Sequence, residues 1–123
     1  MKRVITMIIA ALCLLSAVTL YADFENPAIT DMAEYLTEEQ NKELEARLDK
    51  IREKYSFDVA FVSEKRLSAY DEQAAADDFY DYNGYGYGEN YDGILFYIAD
   101  YERKYQFSTC GSGETIFNEN GLA

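Results

Sequence analysis

Asp78–Asp92 reads DFYDYNGYGYGENYD and runs directly into GILFYIA at Gly93–Ala99. The second piece is a continuous apolar run of strand length, which suits a strand buried on both faces. The first piece carries three glycines between Asn83 and Tyr91, enough to end a helix and make a loop. A second apolar run, Val59-Ala60-Phe61-Val62, lies upstream and is also too short for a helix. Between the two runs the spacing predicts a helix from near Ser68 to about Tyr82, with Ala75, Phe79 and Tyr82 turned inward. Two buried strands joined by a helix make a right-handed parallel crossover.

Further out, Thr37-Glu38-Glu39-Gln40 is a capping box. The helix it opens is predicted to reach about Tyr55, with Leu44, Leu48, Ile51 and Tyr55 in one stripe. Its other face holds Glu38–Lys42 and Glu43–Arg47 at the favourable i, i+4 spacing. Residues 23–36 read as an extended lead-in containing the sole proline, Pro27. After Ala99, the polar turn Asp100–Arg103 leads to Lys104–Cys110 (KYQFSTC). There Tyr105 and Phe107 alternate with Lys104, Gln106 and Ser108, the pattern of a half-exposed strand in a hairpin. The polar tail from Gly111 to Ala123 closes no further element. The order helix, strand, helix, strand, strand gives an α/β layer fold with a small mixed sheet. Ligands on such sheets favour the crevice beyond the strand carboxyl ends.

The start of the chain has a different purpose. Lys2 and Arg3 precede a nearly uninterrupted apolar run, Val4–Leu20, and Ala22 stands before the first acid, Asp23. This is the order of a secretory signal peptide, with cleavage expected after Ala22. The rival reading is an uncleaved N-terminal anchor, for which seventeen residues sit at the low edge of a bilayer span. Residues 1–22 are thus the leader and residues 23–123 the domain. Loss of the leader leaves 101 residues with a net charge of −14 and a single cysteine, Cys110, so no internal disulfide can form.

Composition narrows the chemistry. The whole chain has 23 acidic and 11 basic residues, no histidine and no tryptophan. Without histidine there is no Ser-His-Asp triad, no Cys-His dyad and no His-ligated zinc or haem. The charge makes nucleic acid and anionic membrane faces poor partners. Carboxylate chemistry, oxygen-ligand metal binding and plain interaction survive.

The loop quoted first is the richest candidate. Asp78, Asp81, Asn83, Glu89 and Asp92 offer many oxygens, and Ca²⁺ takes six to eight oxygen ligands in flexible geometry. Aligned from Asp81, the twelve-residue calcium-loop template fails at Tyr85 and Asp92, and a strand follows where it needs a helix. A looser divalent-cation site is the remaining metal reading. Against it stands a tyrosine-rich surface loop whose acids only keep the protein soluble. Tyr80, Tyr82, Tyr85, Tyr87 and Tyr91 could face a sugar or a cationic group, or pack the loop on its own domain. Paired carboxylates also permit acid–base catalysis, although one sequence does not fix their separation. Cys110 has no histidine to activate it.

The mature pattern as a whole resembles a TPM domain. The matching pieces are Ile29-Thr30-Asp31, Leu36-Thr37-x-x-Gln40, Asp58-Val59-Ala60-Phe61-Val62 and Ala75-x-x-Asp78-Phe79-Tyr80. Asn83-Gly84-Tyr85-Gly86, Tyr91-Asp92-Gly93-Ile94-Leu95-Phe96 and Tyr105-x-Phe107-Ser108-Thr109 with Gly111-x-Gly113 follow in order. The resemblance implies an extracytoplasmic α/β/α sandwich, often beside a membrane helix. It also implies divalent-cation binding and, from a plant member, acid phosphatase activity. By position it carries over Asp31, Asp78 and Asp92, to which the loop's own composition adds Asp81 and Glu89. Family domains continue with a helix, a strand and a final helix, so the domain here is expected to be incomplete at its C-terminus, with apolar surface exposed.

Three functions follow as expectations. The first is an exported module that binds Ca²⁺ or Mg²⁺ through Asp31, Asp78, Asp81, Glu89 and Asp92 and serves envelope protein assembly or maintenance, with a protein partner in the envelope. The second is a metal-dependent acid phosphatase. The third is a non-catalytic scaffold. Nucleic acid is not expected as a partner, and a membrane is expected only through the N-terminal segment or a missing C-terminal anchor.

Overall fold

The computed structural model describes residues 27–118. The leader expected at residues 1–22 lies outside the described residues. Four strands and three helices follow one another as β1 (Ile29–Asp31), α1 (Glu38–Tyr55), β2 (Asp58–Glu64), α2 (Glu72–Tyr82), β3 (Gly93–Ala99), β4 (Lys104–Cys110) and α3 (Ser112–Ile116). The sheet order is β1-β2-β3-β4, with β1, β2 and β3 parallel and β4 antiparallel to β3.

Local chemistry accounts for most boundaries. Thr37 Oγ1 accepts from the Gln40 amide at 3.1 Å, and Gln40 Oε1 accepts from the Thr37 amide at 2.9 Å, so the capping box is complete. Ser56 ends α1 in the left-handed region (φ 50°). α2 starts four residues later than Ser68. Asp71 is its N-cap, accepting from the Ala74 amide at 2.8 Å. Of the expected inward face, Ala75 and Phe79 meet the core and Tyr82 does not. Ala75, Ala76 and Tyr80 are buried, whereas Tyr82 is 84% exposed.

Two further elements depart from the expectation. The lead-in contains β1, whose register sets Ile29 beside Phe61 and Asp31 beside Ser63. Three residues are too few for a periodic signal, and parallel pairing alone makes them a strand. The tail contains α3, a single short helix packed near β3 and β4.

The core lies in two layers. On one face Ala60, Val62, Leu95, Tyr97 and Ala99 meet Ala75, Ala76 and Tyr80 of α2. On the other, Val59, Phe61 and Ile29 meet Leu44, Leu48 and Ile51 of α1. Each fully buried large apolar side chain contributes about 1.5–3 kcal/mol. The polar side chains of β4 are tied to α2. Ser108 Oγ donates to Asp77 Oδ1 at 2.6 Å, Lys104 Nζ donates to Glu72 Oε2 at 2.9 Å, and Gln106 meets Gln73.

Candidate functional site

The loop 83–92 closes over the amino end of β3, held by its own backbone and by tyrosine. The amide of Tyr87 donates to the Asp92 carbonyl at 2.9 Å, and the Asp92 amide returns to the Tyr87 carbonyl at 3.0 Å. Tyr80 Oη donates to the Tyr91 carbonyl at 2.6 Å. Tyr85 is buried, with its hydroxyl 3.2 Å from the Pro27 carbonyl and 3.4 Å from Thr30 Oγ1. Gly86 has φ 102°, and a Cβ there would stand 2.4 Å from the Tyr91 carbonyl oxygen, so only glycine fits the crossing. Tyr80 and Tyr85 therefore pack the loop on its own domain.

Sheet register decides which acids meet this loop. Gly93 is flanked by Asp58 on β2 and Cys110 on β4. Asp58 is only 8% exposed, and its Oδ2 accepts from the Gly86 amide at 3.0 Å. Asp92 Oδ1 accepts from the Ser112 amide at 2.7 Å and so anchors α3. Gly111 allows this approach, since a Cβ there would fall 2.1 Å from Asp92 Oδ1 and its φ is 57°. Beside these groups is a cleft of about 190 Å³ walled by Tyr80, Asp81, Gly84, Tyr85, Tyr91 and Cys110. Burial pushes the Tyr80 hydroxyl well above the usual tyrosine range, reinforced by the negative charge of Asp58, Asp92 and Asp81.

The five acids singled out from the sequence do not form one set. Asp81 lines the cleft with Tyr80 and Asp92 holds the Ser112 amide, while Asp78 and Glu89 are exposed and have no ion pair or hydrogen bond among the described contacts. Asp31 lies at the other end of the sheet. It pairs with Ser63, which pairs with Ile98, five positions along β3 from Gly93, or about 17 Å at the rise of a strand. Its carboxylate serves the chain locally. Oδ1 accepts from Ser63 Oγ at 2.5 Å and the Tyr35 amide at 3.0 Å, and Oδ2 from the Leu36 amide at 2.7 Å. Burial alone would raise its pKa, but these bonds together hold it below the usual carboxylate value. The loop also sits at the amino end of β3, not at the carboxyl ends of the parallel strands, where the general rule for such sheets looks first.

Asp58 is the acid that sequence reasoning missed as a site residue. It flanks an apolar run and gives no signal of its own; only its place beside Gly93 brings it to the loop. Residues 67–102 contain nine acids and no lysine or arginine. Among the described residues no ion pair reaches Asp58, Asp78, Asp81, Glu89 or Asp92. The Arg52 guanidinium stands 6.0 Å from the centre of the Tyr87 ring. Among the described residues, no three aspartate, glutamate or cysteine side chains converge as a ready-made metal cage. Any cation here would draw on backbone carbonyls and water as well as carboxylates. Among the same residues, no helix is long and apolar enough to cross a membrane.

Comparison with known proteins bears on the same residues. No curated protein matches the chain. The fold is similar to the solution NMR structure of the N-terminal domain of a protein from P. gingivalis, with a TM-score of 0.67 and 22% identity. That match covers 78% of this chain and 61% of the other. A second NMR structure, the N-terminal domain of a Corynebacterium glutamicum protein, matches with a TM-score of 0.58 and 16% identity, over 80% of this chain and 60% of the other. The chain thus spans about three-fifths of the length of each neighbour, and at these identities the likeness establishes the fold alone. A family model described as the TPM domain matches residues 29–122, from β1 through α3 and including the loop and Asp58. With that span matched and the mixed four-stranded sheet in place, the chain belongs to the TPM domain family.

Proposed function

We propose that this TPM domain is an extracytoplasmic binding module that takes a divalent cation, Ca²⁺ or Mg²⁺, at the acidic amino end of β3. The observation that carries the reading is uncompensated charge. Asp58, nine-tenths buried, accepts the Gly86 amide, Asp81 lines the adjoining cleft and Asp92 ends the same loop, with no ion pair to any of the three among the described residues. A carboxylate drawn out of water without a cationic partner is costly, and a hard cation offsets that cost. Asp78 and Glu89, exposed at the rim, would add attraction at longer range; Asp31 is left to its structural role. By family and by its leader-like start, the module would work in assembly or maintenance of envelope proteins with a protein partner. Hydrolysis of phosphate esters at this loop would require the cation first, because residues 67–102 offer no basic group to receive a phosphoryl oxygen.

Titration calorimetry with Ca²⁺ and then Mg²⁺ tests the proposal. A saturable isotherm is expected, weakened by Asp81→Asn and by Asp92→Asn, the latter retaining an acceptor for the Ser112 amide. No saturable heat, or an isotherm unchanged in both variants, would remove this site.

A further inference from the structure

Asp92 ends the loop, and three parts of the fold meet on it. Its backbone is fixed by β2 and by the loop: the carbonyl accepts from the Asp58 amide at 3.1 Å and from the Tyr87 amide at 2.9 Å. Its side chain turns to α3, where Oδ1 accepts from the Ser112 amide at 2.7 Å. The backbone closes tightly on that oxygen, because a Cβ on Gly111 would fall 2.1 Å from Oδ1 and 3.1 Å from Cγ. The described contacts give Oδ2 no donor. One carboxylate oxygen is therefore held by main chain and the other is left over.

α3 does not account for its own position. It has five residues, and isolated helices shorter than about 12–15 residues are marginal in water. Packing places it. Gly113 is buried, and a Cβ there would stand 2.1 Å from the Gly93 carbonyl oxygen. Just past the helix, Phe117 meets Phe57 with ring centres 5.9 Å apart. These contacts set α3 against the first residue of β3 and present the Ser112 amide to the carboxylate beside it. Metal-ligating carboxylates are in turn hydrogen-bonded, and those bonds fix how the side chain points.

We infer that the Ser112 amide is a positioning group for the cation site. It holds Oδ1 of Asp92, leaves Oδ2 for the cation, and so makes the docking of α3 part of cation binding. The inference rests on the cation reading given above. Linkage makes the effect reciprocal: whatever α3 adds to cation affinity, the cation adds to the docking of α3. The group that matters is the main-chain N–H. The Ser112 hydroxyl enters none of the described hydrogen bonds, so the side chain is replaceable.

Two substitutions separate the amide from the side chain. Ser112→Pro removes the N–H at the first helical position, where proline is tolerated, and Ser112→Ala keeps it. Titration calorimetry with Ca²⁺ should give the parent and Ser112→Ala equal affinity. Ser112→Pro should bind roughly tenfold more weakly, the loss that follows removal of a ligand's hydrogen-bonded support. Hydrogen exchange in the parent should show the Ser112 and Phe117 amides slowed by saturating Ca²⁺. A bond with a purely structural role would lower stability in Ser112→Pro and leave both readouts unmoved. Parent-like affinity in Ser112→Pro, or a loss in Ser112→Ala equal to that in Ser112→Pro, overturns the inference and leaves the cation reading standing. So does α3 exchange that Ca²⁺ leaves unchanged or quickens, a measurement on the parent that decides the matter even where Ser112→Pro fails to fold. A parent that takes up no Ca²⁺ removes the cation reading and this inference with it.

Discussion

Replacing Tyr80 with phenylalanine isolates the bond that ties helix α2 to the loop over β3. The hydroxyl is buried and donates to the Tyr91 carbonyl at 2.6 Å; Tyr91 itself is in the left-handed region (φ 53°). Phenylalanine keeps the ring, including its contact with Tyr85 at 6.4 Å between centres, and removes only the donor. Loss of a part-buried hydrogen bond of this kind costs about 0.5–1.5 kcal/mol. For a domain of this size each kcal/mol lowers the melting temperature by about 4–8 °C. The same hydroxyl adds a pH signature. Burial and the neighbouring negative charge raise its folded pKa above the unfolded value of 10.0. Its contribution is therefore complete below pH 10 and declines as pH rises toward the folded pKa. Urea unfolding of parent and variant at pH 7 and through the range above pH 10 reads both effects. The gap should be widest at pH 7 and narrow in alkali. Hydrogen exchange should show the Tyr87 and Asp92 amides opening first. Equal stability at pH 7, or a gap that stays constant above pH 10, would refute this account of the loop.

The remaining predictions probe other parts of the fold. Tyr97 is fully buried and donates to Glu64 at 2.5 Å; burial and that bond push its pKa up to about 12. Stability should fall by about 1.4 kcal/mol per pH unit between pH 10 and 12, and Tyr97→Phe should flatten that limb in alkaline denaturation curves. Asp31 has a folded pKa below its ordinary 3.8, so its stabilisation is present above that value and lost as pH falls through the folded pKa. Asp31→Asn should make the acid limb shallower, read by circular dichroism on acid titration. Gly86→Ala combines φ 102° with a Cβ 2.4 Å from the Tyr91 carbonyl oxygen and should cost at least about 2 kcal/mol in urea unfolding, with loop signals shifted in NMR spectra.

The class of fold was written in the sequence because its signals are local. The capping box at Thr37, the stripe from Leu44 to Tyr55, the apolar run GILFYIA and the alternation in KYQFSTC each specify an element from adjacent residues. Three glycines specify the loop in the same way. What the sequence left open depends on partners far along the chain. β1 is a strand only because Phe61 and Ser63 lie beside Ile29 and Asp31. α2 begins at Glu72 because the Asp71 side chain captures the Ala74 amide and caps it there. The acids were legible as residues but not as a site. Register places Asp58 and Cys110 on either side of Gly93 and sends Asp31 to the far end of the sheet. Composition determined that this protein would carry uncompensated negative charge, since no base interrupts residues 67–102. Tertiary structure alone decided where that charge collects, because pairing between strands fixes which distant carboxylates share one end of a sheet.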